Sequence, residues 1–446
     1  MSTKNQTAQP QLGWVERQFK LTENKTNVRT EVMAGITTFM TMAYILFVNP
    51  SILAETGMPF DAVLFATAFS AILATLLMAF LANYPFALAP GMGLNAYFTY
   101  SVVFGMGYTW QTALGAVFIS GILFVLLSLS GVREKIIDAV PASLKSAIGA
   151  GIGLFIALIG LQNAGIVISD PATIIAIGNL TEPSVALAAI GVLITGVLLA
   201  RRVKGAILWG ILATTLLGIP MKVTPLPTGF IQFPSFSTWA PVFGKLDIAG
   251  AFNIGLVEVV FAFLFVDLFD TIGTLIGVSE RAGFLDKEGK LPRANKALLA
   301  DSIGTVAGAV FGTSTVTTFV ESASGVAVGG RTGLANLVTS ACFFLSLFFL
   351  PIIGIVPAAA TAPALIIVGA LMMKPVINIP WDNMEEALPA FIAMIAMPFT
   401  YSIATGIALG FITYPVIKLA TGKGKEVHAI TYVLAVLFIV RFIYLG

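Results

Sequence analysis

Two aspartates, three residues apart, interrupt an otherwise apolar stretch of the chain. Asp267 and Asp270 lie in FLFVDLFDTIGTLIGV, residues 263–278. Residues three apart on a helix share a face, and an ionised carboxylate is costly to bury in an apolar medium. Such acids must be protonated, solvated by a cavity, or paired with a group that arrives. The pair therefore predicts proton carriage, or binding of a solute that donates hydrogen bonds.

The elements that position these acids are predicted to be membrane helices. The chain has 446 residues, of which 57% are hydrophobic and only 10% are charged. Many apolar runs reach the roughly 20 residues that a spanning helix needs, whereas a membrane barrel would show short alternating segments. The single cysteine, Cys342, excludes an intrachain disulfide. The polar residues 1–29 carry no signal-peptide pattern, so we expect an all-α integral membrane protein without a removed leader.

Hydropathy predicts fourteen spans in two series of seven. The first series is 30–48, 61–81, 84–104, 110–130, 143–160, 184–200 and 204–218. The second series is 254–278, 294–311, 314–330, 333–354, 361–373, 386–401 and 403–421, and the apolar tail 428–445 is left uncertain.

The basic residues predict which loops lie inside. With the amino terminus in the cytoplasm, only Lys222 and Lys245 fall in outside loops, and Arg441 in the tail stays unassigned. This asymmetry is what the positive-inside rule predicts. The inside loops hold Lys4, Arg17, Lys20, Lys25, Arg29, Arg133, Lys135, Lys145, Arg201, Arg202, Lys204, Arg281, Lys287, Lys290, Arg293, Lys296, Arg331, Lys374, Lys418, Lys423 and Lys425.

The two series resemble each other. VPASLKSAIGAGIGLFIALIGL (140–161) is similar to VPAAATAPALIIVGALMM (356–373). A repeat with an odd number of spans enters the membrane the second time from the opposite side, which gives the inverted topology of many secondary transporters. The alternative is chance similarity between apolar helices.

Two segments break the helical pattern at matching positions. YPFALAPGMGLNAYF (84–98) and TSTVTTFVESASGVAV (313–328) each run from an extended piece into a piece rich in small residues. We interpret each as a short strand followed by a half-helix, in spans three and ten. Irregular backbone at membrane depth is tolerated where it lines a cavity or is buried in protein, so the pair predicts a binding site. Two kinked packing helices are the alternative.

Five of the 22 acidic residues lie away from loops, tails and span ends: Glu258, Asp267, Asp270, Asp301 and Glu321. Glu258 faces away from Asp267 near the outer end of span eight, so an interfacial role is expected. Asp267 lies roughly 20 Å into that span, where an acid costs on the order of 3 kcal/mol and is a functional candidate. For Asp270 and Asp301 a structural hydrogen bond is the competing interpretation.

No base is expected to neutralise these acids. We place no lysine, arginine or histidine inside a span, since Lys145, Lys296 and Lys418 lie near span ends and are counted with the inside loops. The only histidine, His428, lies in the tail region. Glu321 begins the second half-helix, where backbone N–H groups favour an anion and simple capping is the alternative. Asn95 stands just inside the other half-helix and offers a donor and an acceptor. Together, these acids and Asn95 offer mostly hydrogen-bond acceptors, so they suit a flat solute rich in N–H groups.

Motifs along nearly the whole chain resemble the AzgA-type purine permeases of the nucleobase–cation symporter and nucleobase–ascorbate transporter families. They are TTFMTMAYILFVNP, ALAPGMGLNAYF, GVREKI, GAGIGLFIALIGLQNAG, FVDLFDTIGTLIGV, ALLADSIGTVAGAVFGTSTVTTFVESASGVAVGGRTGL and VGALMM. The resemblance implies fourteen spans in two inverted repeats. It also implies import of hypoxanthine, guanine or adenine with protons across the cytoplasmic membrane, by elevator-like motion of a core (spans 1–4 and 8–11) against a gate (5–7 and 12–14).

The resemblance also assigns roles to residues. It implies substrate binding by Asp267, Glu321, Asn95, Val320, Phe319, Gly91 and Met92. Proton coupling is expected to involve Asp267, Asp270 and Glu321, with no metal and no cofactor besides the coupling proton. Related uracil permeases carry a histidine one turn after the span-eight acid. Here that residue is Thr271, so a mechanism that needs this histidine does not carry over.

The predicted divisions follow the repeats. They are the tail 1–29, first-repeat spans one to five at 30–160, gate spans six and seven with an outside loop at 161–253, core spans eight to eleven at 254–354, gate spans twelve to fourteen at 355–421, and the tail 422–446. The expected partners are a purine base and membrane lipid, with no nucleic acid. The sequence leaves open a monomer or a homodimer.

Two other functions compete with purine transport. A sulfate-like anion transporter shares the expected architecture and uses half-helix ends for oxyanions, but deep acids disfavour an anion. An intramembrane aspartyl protease needs two acids that share a proton on separate helices, and no GxGD motif is found. The run GAGIG at 149–153 lacks a preceding strand, so close helix packing is expected there rather than a dinucleotide loop.

Overall fold

A computed structural model describes residues 13–130, 140–227, 229–252, 256–286 and 290–444, and most of them are helical. Two π-helical segments, Met78–Ala82 and Tyr97–Gly105, continue the α-helices Phe60–Leu77 and Met92–Ala96. The α-helices are α1 (Trp14–Phe19), α2 (Val28–Met42), α3 (Ile45–Ala54), α4 (Phe60–Leu77), α5 (Met92–Ala96), α6 (Trp110–Ser130), α7 (Ala142–Asn163), α8 (Pro183–Ala200), α9 (Ala206–Gly218), α10 (Phe236–Trp239), α11 (Leu256–Ala282), α12 (Ala294–Phe311), α13 (Ser322–Val328), α14 (Leu334–Ser346), α15 (Leu350–Ile353), α16 (Ala358–Leu371), α17 (Met384–Phe399), α18 (Ile403–Ala420) and α19 (Ala429–Tyr444).

Within the described ranges, nine helical segments are long and apolar enough to cross a membrane. Large apolar side chains point outward, for example Leu193, whose exposed fraction is 69%. These segments are Val28–Ala54, Phe60–Ala82, Trp110–Leu129, Ala142–Asn163, Pro183–Ala200, Val259–Ala282, Leu334–Ile353, Ala358–Asn378 and Ile403–Ala420. The count of fourteen spans stays a prediction.

Span one differs from its prediction, because 30–48 is occupied by two helices, α2 and α3. At the junction, Leu46 N–H donates to Ala43 at 3.1 Å and Phe47 N–H donates to Tyr44 at 3.0 Å. Both bonds join residues three apart, so the chain tightens there. Hydropathy cannot detect this change, since every residue involved is apolar or aromatic.

The predicted strands and half-helices are confirmed. Strand β1 (Leu88–Pro90) precedes α5, strand β4 (Val316–Thr318) precedes α13, and the two strands pair antiparallel with Ala89 opposite Thr317. A second hairpin, β2 (Val167–Asp170) with β3 (Ile174–Ile177), lies between α7 and α8 and was not predicted. The chain is therefore mostly helical, with one small sheet at its centre.

Glycines bring the two similar repeat segments into contact. Helix α7 packs against α16, and a Cβ on Gly153 would lie 2.7 Å from the carbonyl oxygen of Gly369. In the same way, a Cβ on Gly151 would lie 2.6 Å from the sulfur of Met397 in α17. The GAGIG run therefore serves close helix packing, as expected.

One electrostatic prediction was wrong, because a basic residue does lie inside a span. Lys418 is in the last turn of α18, and its exposed fraction is 5%. Its Nζ lies 3.0 Å from Glu386, 3.3 Å from Glu385 and 3.2 Å from Glu426. Because it lies close to the end of the span, the sequence placed this lysine with the solvated loop charges.

Candidate functional site

The sheet of β1 and β4 sets the two half-helices against each other. Gly91 N–H donates to the Thr315 carbonyl at 2.9 Å, and Phe319 N–H donates to the Ala87 carbonyl at 2.9 Å. These bonds extend the pairing by one residue beyond the end of each strand, toward the half-helix that follows it. Helix α11, which carries both aspartates, packs against β4 and α13. Residues from spans three, eight and ten thus meet around one small sheet.

Glu321 lies at the start of α13 and is held by the first span. It is the N-cap residue but makes no side-chain cap hydrogen bond. Its Oε1 instead accepts a hydrogen bond from the hydroxyl of Tyr44 at 2.7 Å, and its backbone carbonyl accepts one from Thr41 at 3.4 Å. The carboxylate is therefore oriented by a distant residue rather than used for local capping.

Asp267 is buried between α11 and α12, with an exposed fraction of 1%. Its carboxylate accepts hydrogen bonds from Thr305 at 3.3 Å and from Thr271 at 3.4 Å. Each hydroxyl has a shorter bond elsewhere, from Thr305 to the Val316 carbonyl at 2.9 Å and from Thr271 to Asp301 at 3.0 Å. A hydroxyl has one proton to donate, so Asp267 shares both donors with other acceptors.

Asp301 belongs to the same network but was not predicted as a site residue. It is fully buried on α12, and its Oδ1 also accepts a hydrogen bond from Thr318 at 3.3 Å. The shared Thr271 hydroxyl links this carboxylate to Asp267. The sequence signals were its position among the five acids inside spans and within the small-residue run DSIGTVAGAVFG, where a structural hydrogen bond was the competing interpretation.

Asp270 lies on the side of α11 that faces the sheet and α13. Thr317 of β4 donates to its Oδ2 at 3.3 Å, and the side chain is partly exposed. It lies close enough to Glu321 for the two carboxylates to repel each other when both are ionised. The two aspartates therefore have different partners, although their spacing places them on one helical face.

Asn95 lies in α5 and is fully buried. Its Oδ1 accepts a hydrogen bond from the hydroxyl of Ser314. Among the described residues, its Nδ2 has no hydrogen-bond partner. A buried donor without a partner is costly, which makes this amide a candidate to bind a ligand that carries an acceptor.

The other predicted contacts fall around the same sheet. Phe319 is buried with its ring centroid 6.4 Å from that of Tyr44, whereas Val320 is 57% exposed. Met92 is buried in α5, and a Cβ on Gly91 would lie 2.9 Å from the Cγ2 of Thr317. The structure thus brings these residues together, and their roles in substrate binding stay predictions.

Charge at the site is carried by acids. No salt bridge within the described ranges involves Asp270 or Glu321. The same ranges contain no group of three or more histidines, cysteines, aspartates or glutamates that could hold a metal ion. The side chain of Glu258 lies outside the described residues. The arrangement offers carboxylate acceptors with hydroxyl partners and one open amide donor.

The fold defined by these elements occurs in solved membrane transporters. The transmembrane domain of the cyanobacterium bicarbonate transporter BicA aligns with a TM-score of 0.64 at 15% identity, covering 86% of this chain and 97% of that one. The murine anion transporter Slc26a9, in its inward-facing state, aligns with a TM-score of 0.62 at 11% identity, covering 94% and 74%. At such low identity the similarity concerns the fold alone.

Sequence comparison then identifies the family. The model Xan_ur_permease, described as a permease family, matches residues 29–409, and the chain belongs to this family. It is therefore a multi-pass membrane transporter and not an enzyme. It is 51% identical to the guanine/hypoxanthine permease PbuG of Bacillus subtilis, over 96% of this chain and 99% of that one. It is 45% identical to the adenine permease AdeP of Escherichia coli, over 100% and 99%.

Proposed function

We propose that this protein imports purine nucleobases, such as hypoxanthine, guanine and adenine, across the cytoplasmic membrane. The observation that carries the proposal is the acceptor-rich site at the paired half-helices, in a chain similar over its whole length to PbuG and AdeP. Both relatives are named purine permeases. The amino terminus is assigned to the cytoplasm, because the basic residues fall in the loops that this orientation places inside.

The chemistry of the site suits a neutral purine. Glu321 and Asp267 would accept ring or amino N–H groups, while the open Nδ2 of Asn95 would donate to a ring nitrogen or carbonyl oxygen. A site built to hydrogen-bond all three positions of a base rejects analogues that lack one of the matching groups, which is a large source of selectivity. Phe319 supplies an apolar surface against which a planar ring can pack.

Proton symport is the mechanism that the acids favour. An acid at membrane depth can take up a proton on one side and release it on the other. Asp270 is suited to this role because it is partly exposed and close to Glu321. We propose that the core moves against the gate as an elevator, within fourteen spans built from two inverted repeats. The glycine contact between α7 and α16 supports a tightly packed gate.

Anion transport is the second candidate, because BicA and Slc26a9 share the fold. The site chemistry opposes it. Carboxylates at the half-helix and on α11 repel an anion, and the buried lysine Lys418 is bound to three glutamates. The full-length relatives favour a purine base.

Uptake of labelled purines and pyrimidines into vesicles tests the proposal. We expect accumulation of at least one of hypoxanthine, guanine and adenine but not of uracil. An inward proton gradient should raise it, a protonophore should abolish it, and sodium should leave it unchanged. Bicarbonate and sulfate serve as anion probes. Accumulation of an anion without purine uptake would overturn the assignment, and strict sodium dependence at fixed pH would overturn proton coupling.

A further inference from the structure

Tyr44 is the one residue of the first span that reaches the carboxylate of Glu321. It lies at the junction of α2 and α3, where the backbone tightens, and its exposed fraction is 2%. Its hydroxyl donates to Oε1 of Glu321 at 2.7 Å, across 277 residues of sequence. Thr41, one turn earlier, bonds the backbone carbonyl of the same glutamate at 3.4 Å.

The Tyr44 hydrogen bond involves only one of the two oxygens of the Glu321 carboxylate, Oε1. A carboxylate has two oxygens that can each accept hydrogen bonds, and no donor from another described residue reaches Oε2 of Glu321. The Tyr44 ring is itself held, since it packs near Phe319 and is buried. With Oε1 fixed by a buried phenol, the direction in which Oε2 points is also fixed.

We propose that Tyr44 is a positioning residue for the substrate: it holds Oε1 of Glu321 so that Oε2 accepts an N–H group of the base. The inference rests on the proposed function, because it assigns a role within the same site. A preorganised acceptor loses less freedom on binding than a mobile one. Tyr44 would therefore raise affinity for bases that present an N–H group, without contacting the base.

The test is equilibrium binding of hypoxanthine and its singly N-methylated derivatives to purified wild-type protein and to Tyr44→Phe. The substitution removes one hydroxyl and keeps the ring. In the wild type, methylation of the nitrogen that faces Glu321 should weaken binding. In Tyr44→Phe, hypoxanthine itself should bind about 10- to 100-fold more weakly, as expected for loss of a hydrogen bond to a charged group. The affinity for the derivative methylated at this nitrogen should change little, so Tyr44→Phe should discriminate less between hypoxanthine and that derivative.

Tyr414→Phe is the matched control. The Tyr414 hydroxyl donates to Glu386 at 3.0 Å, in the Lys418 cluster. Its removal deletes the same kind of bond away from the site and should leave hypoxanthine affinity and discrimination unchanged. The melting temperature of each variant reports on its folding.

The outcomes separate this inference from the proposed function. If Tyr44→Phe retains wild-type affinity and discrimination, or loses affinity equally for hypoxanthine and all derivatives, Tyr44 is only a packing residue and the inference is wrong. If the wild type binds no purine in this assay or in the vesicle panel, the proposed function fails first. A loss of affinity in Tyr44→Phe that is confined to bases with a free N–H group supports both the role of Tyr44 and the proposed function.

Discussion

The molecule contains two clusters of carboxylates, and they differ in what neutralises them. At the end of α18, Lys418 lies within 3.3 Å of Glu385, Glu386 and Glu426. Lys423 adds a second cation, 2.8 Å from Glu385. Here each negative charge has a positive partner.

At the central site the partners are hydroxyl groups. Glu321 is bonded by Tyr44, and Asp270 is bonded by Thr317. A hydroxyl can stabilise an ionised or a protonated carboxylate, since it both donates and accepts, whereas an ammonium group stabilises only the ionised form. The comparison teaches that the lysine cluster suits a fixed structure, while the hydroxyl partners of the central acids are compatible with the proposed exchange of a proton or a ligand.

The largest expected effect is the loss of uptake when an acid of the central site is replaced, compared with the same replacement in the lysine cluster. Glu321→Gln should reduce purine uptake to background, because it replaces a double acceptor with an amide that can present its donor to the base or to Tyr44. Glu386→Gln should retain most uptake, since it is remote from the half-helices. Uptake in vesicles containing equal amounts of inserted protein measures both. Near-normal transport by Glu321→Gln would remove this residue from the site.

The next comparison divides the central site itself. Asp267 and Asp270 differ by about 4.5 Å in height along α11, and only Asp270 is partly exposed. Asp267→Asn should weaken purine binding by at least about 100-fold, because its amide misplaces a donor in a buried acceptor site. Asp270→Asn should keep measurable binding but lose uphill accumulation.

Binding to purified protein, set beside uptake under a proton gradient, distinguishes these roles. If Asp270→Asn instead lost binding while Asp267→Asn kept it, Asp270 would bind the purine and Asp267 would be the coupling acid. If Asp270→Asn still concentrates substrate, that acid is structural, and coupling must rest on Asp267 or Glu321.

The smallest functional effect is expected in the lysine cluster. Lys418→Met leaves Glu386, whose side chain is 18% exposed, without its cation, whereas Glu385 keeps Lys423. The loss should cost about 2 kcal/mol of stability after allowance for this exposure. The variant's melting temperature in detergent should fall while purine affinity stays unchanged. Glu426→Gln, at the more exposed edge, should change stability by less than about 0.5 kcal/mol. A Lys418→Met variant with normal stability but weakened purine binding would contradict the division into structural and functional acids.

Local patterns were enough to predict much of the fold. The apolar runs gave helices at most of the predicted positions, and the small-residue segments 84–98 and 313–328 correctly indicated a strand followed by a half-helix. These features depend on neighbouring residues, whose hydropathy and backbone preferences are written directly in the sequence. The hairpin of β2 and β3 was missed because a short strand pair in a loop has no strong periodic signal.

The sequence by itself placed Asp267, Asp270, Asp301 and Glu321 in apolar runs, because hydropathy reports the cost of placing a charge there, but it did not identify Glu31, which is fully buried. Only the tertiary structure decided their partners. The bond from Tyr44 to Glu321 spans 277 residues, and the hydroxyl that Asp267 shares with Asp301 depends on how α11 packs against α12. Lys418 was misplaced for the same reason: whether a charge near a helix end is solvated or buried depends on which distant carboxylates pack around it.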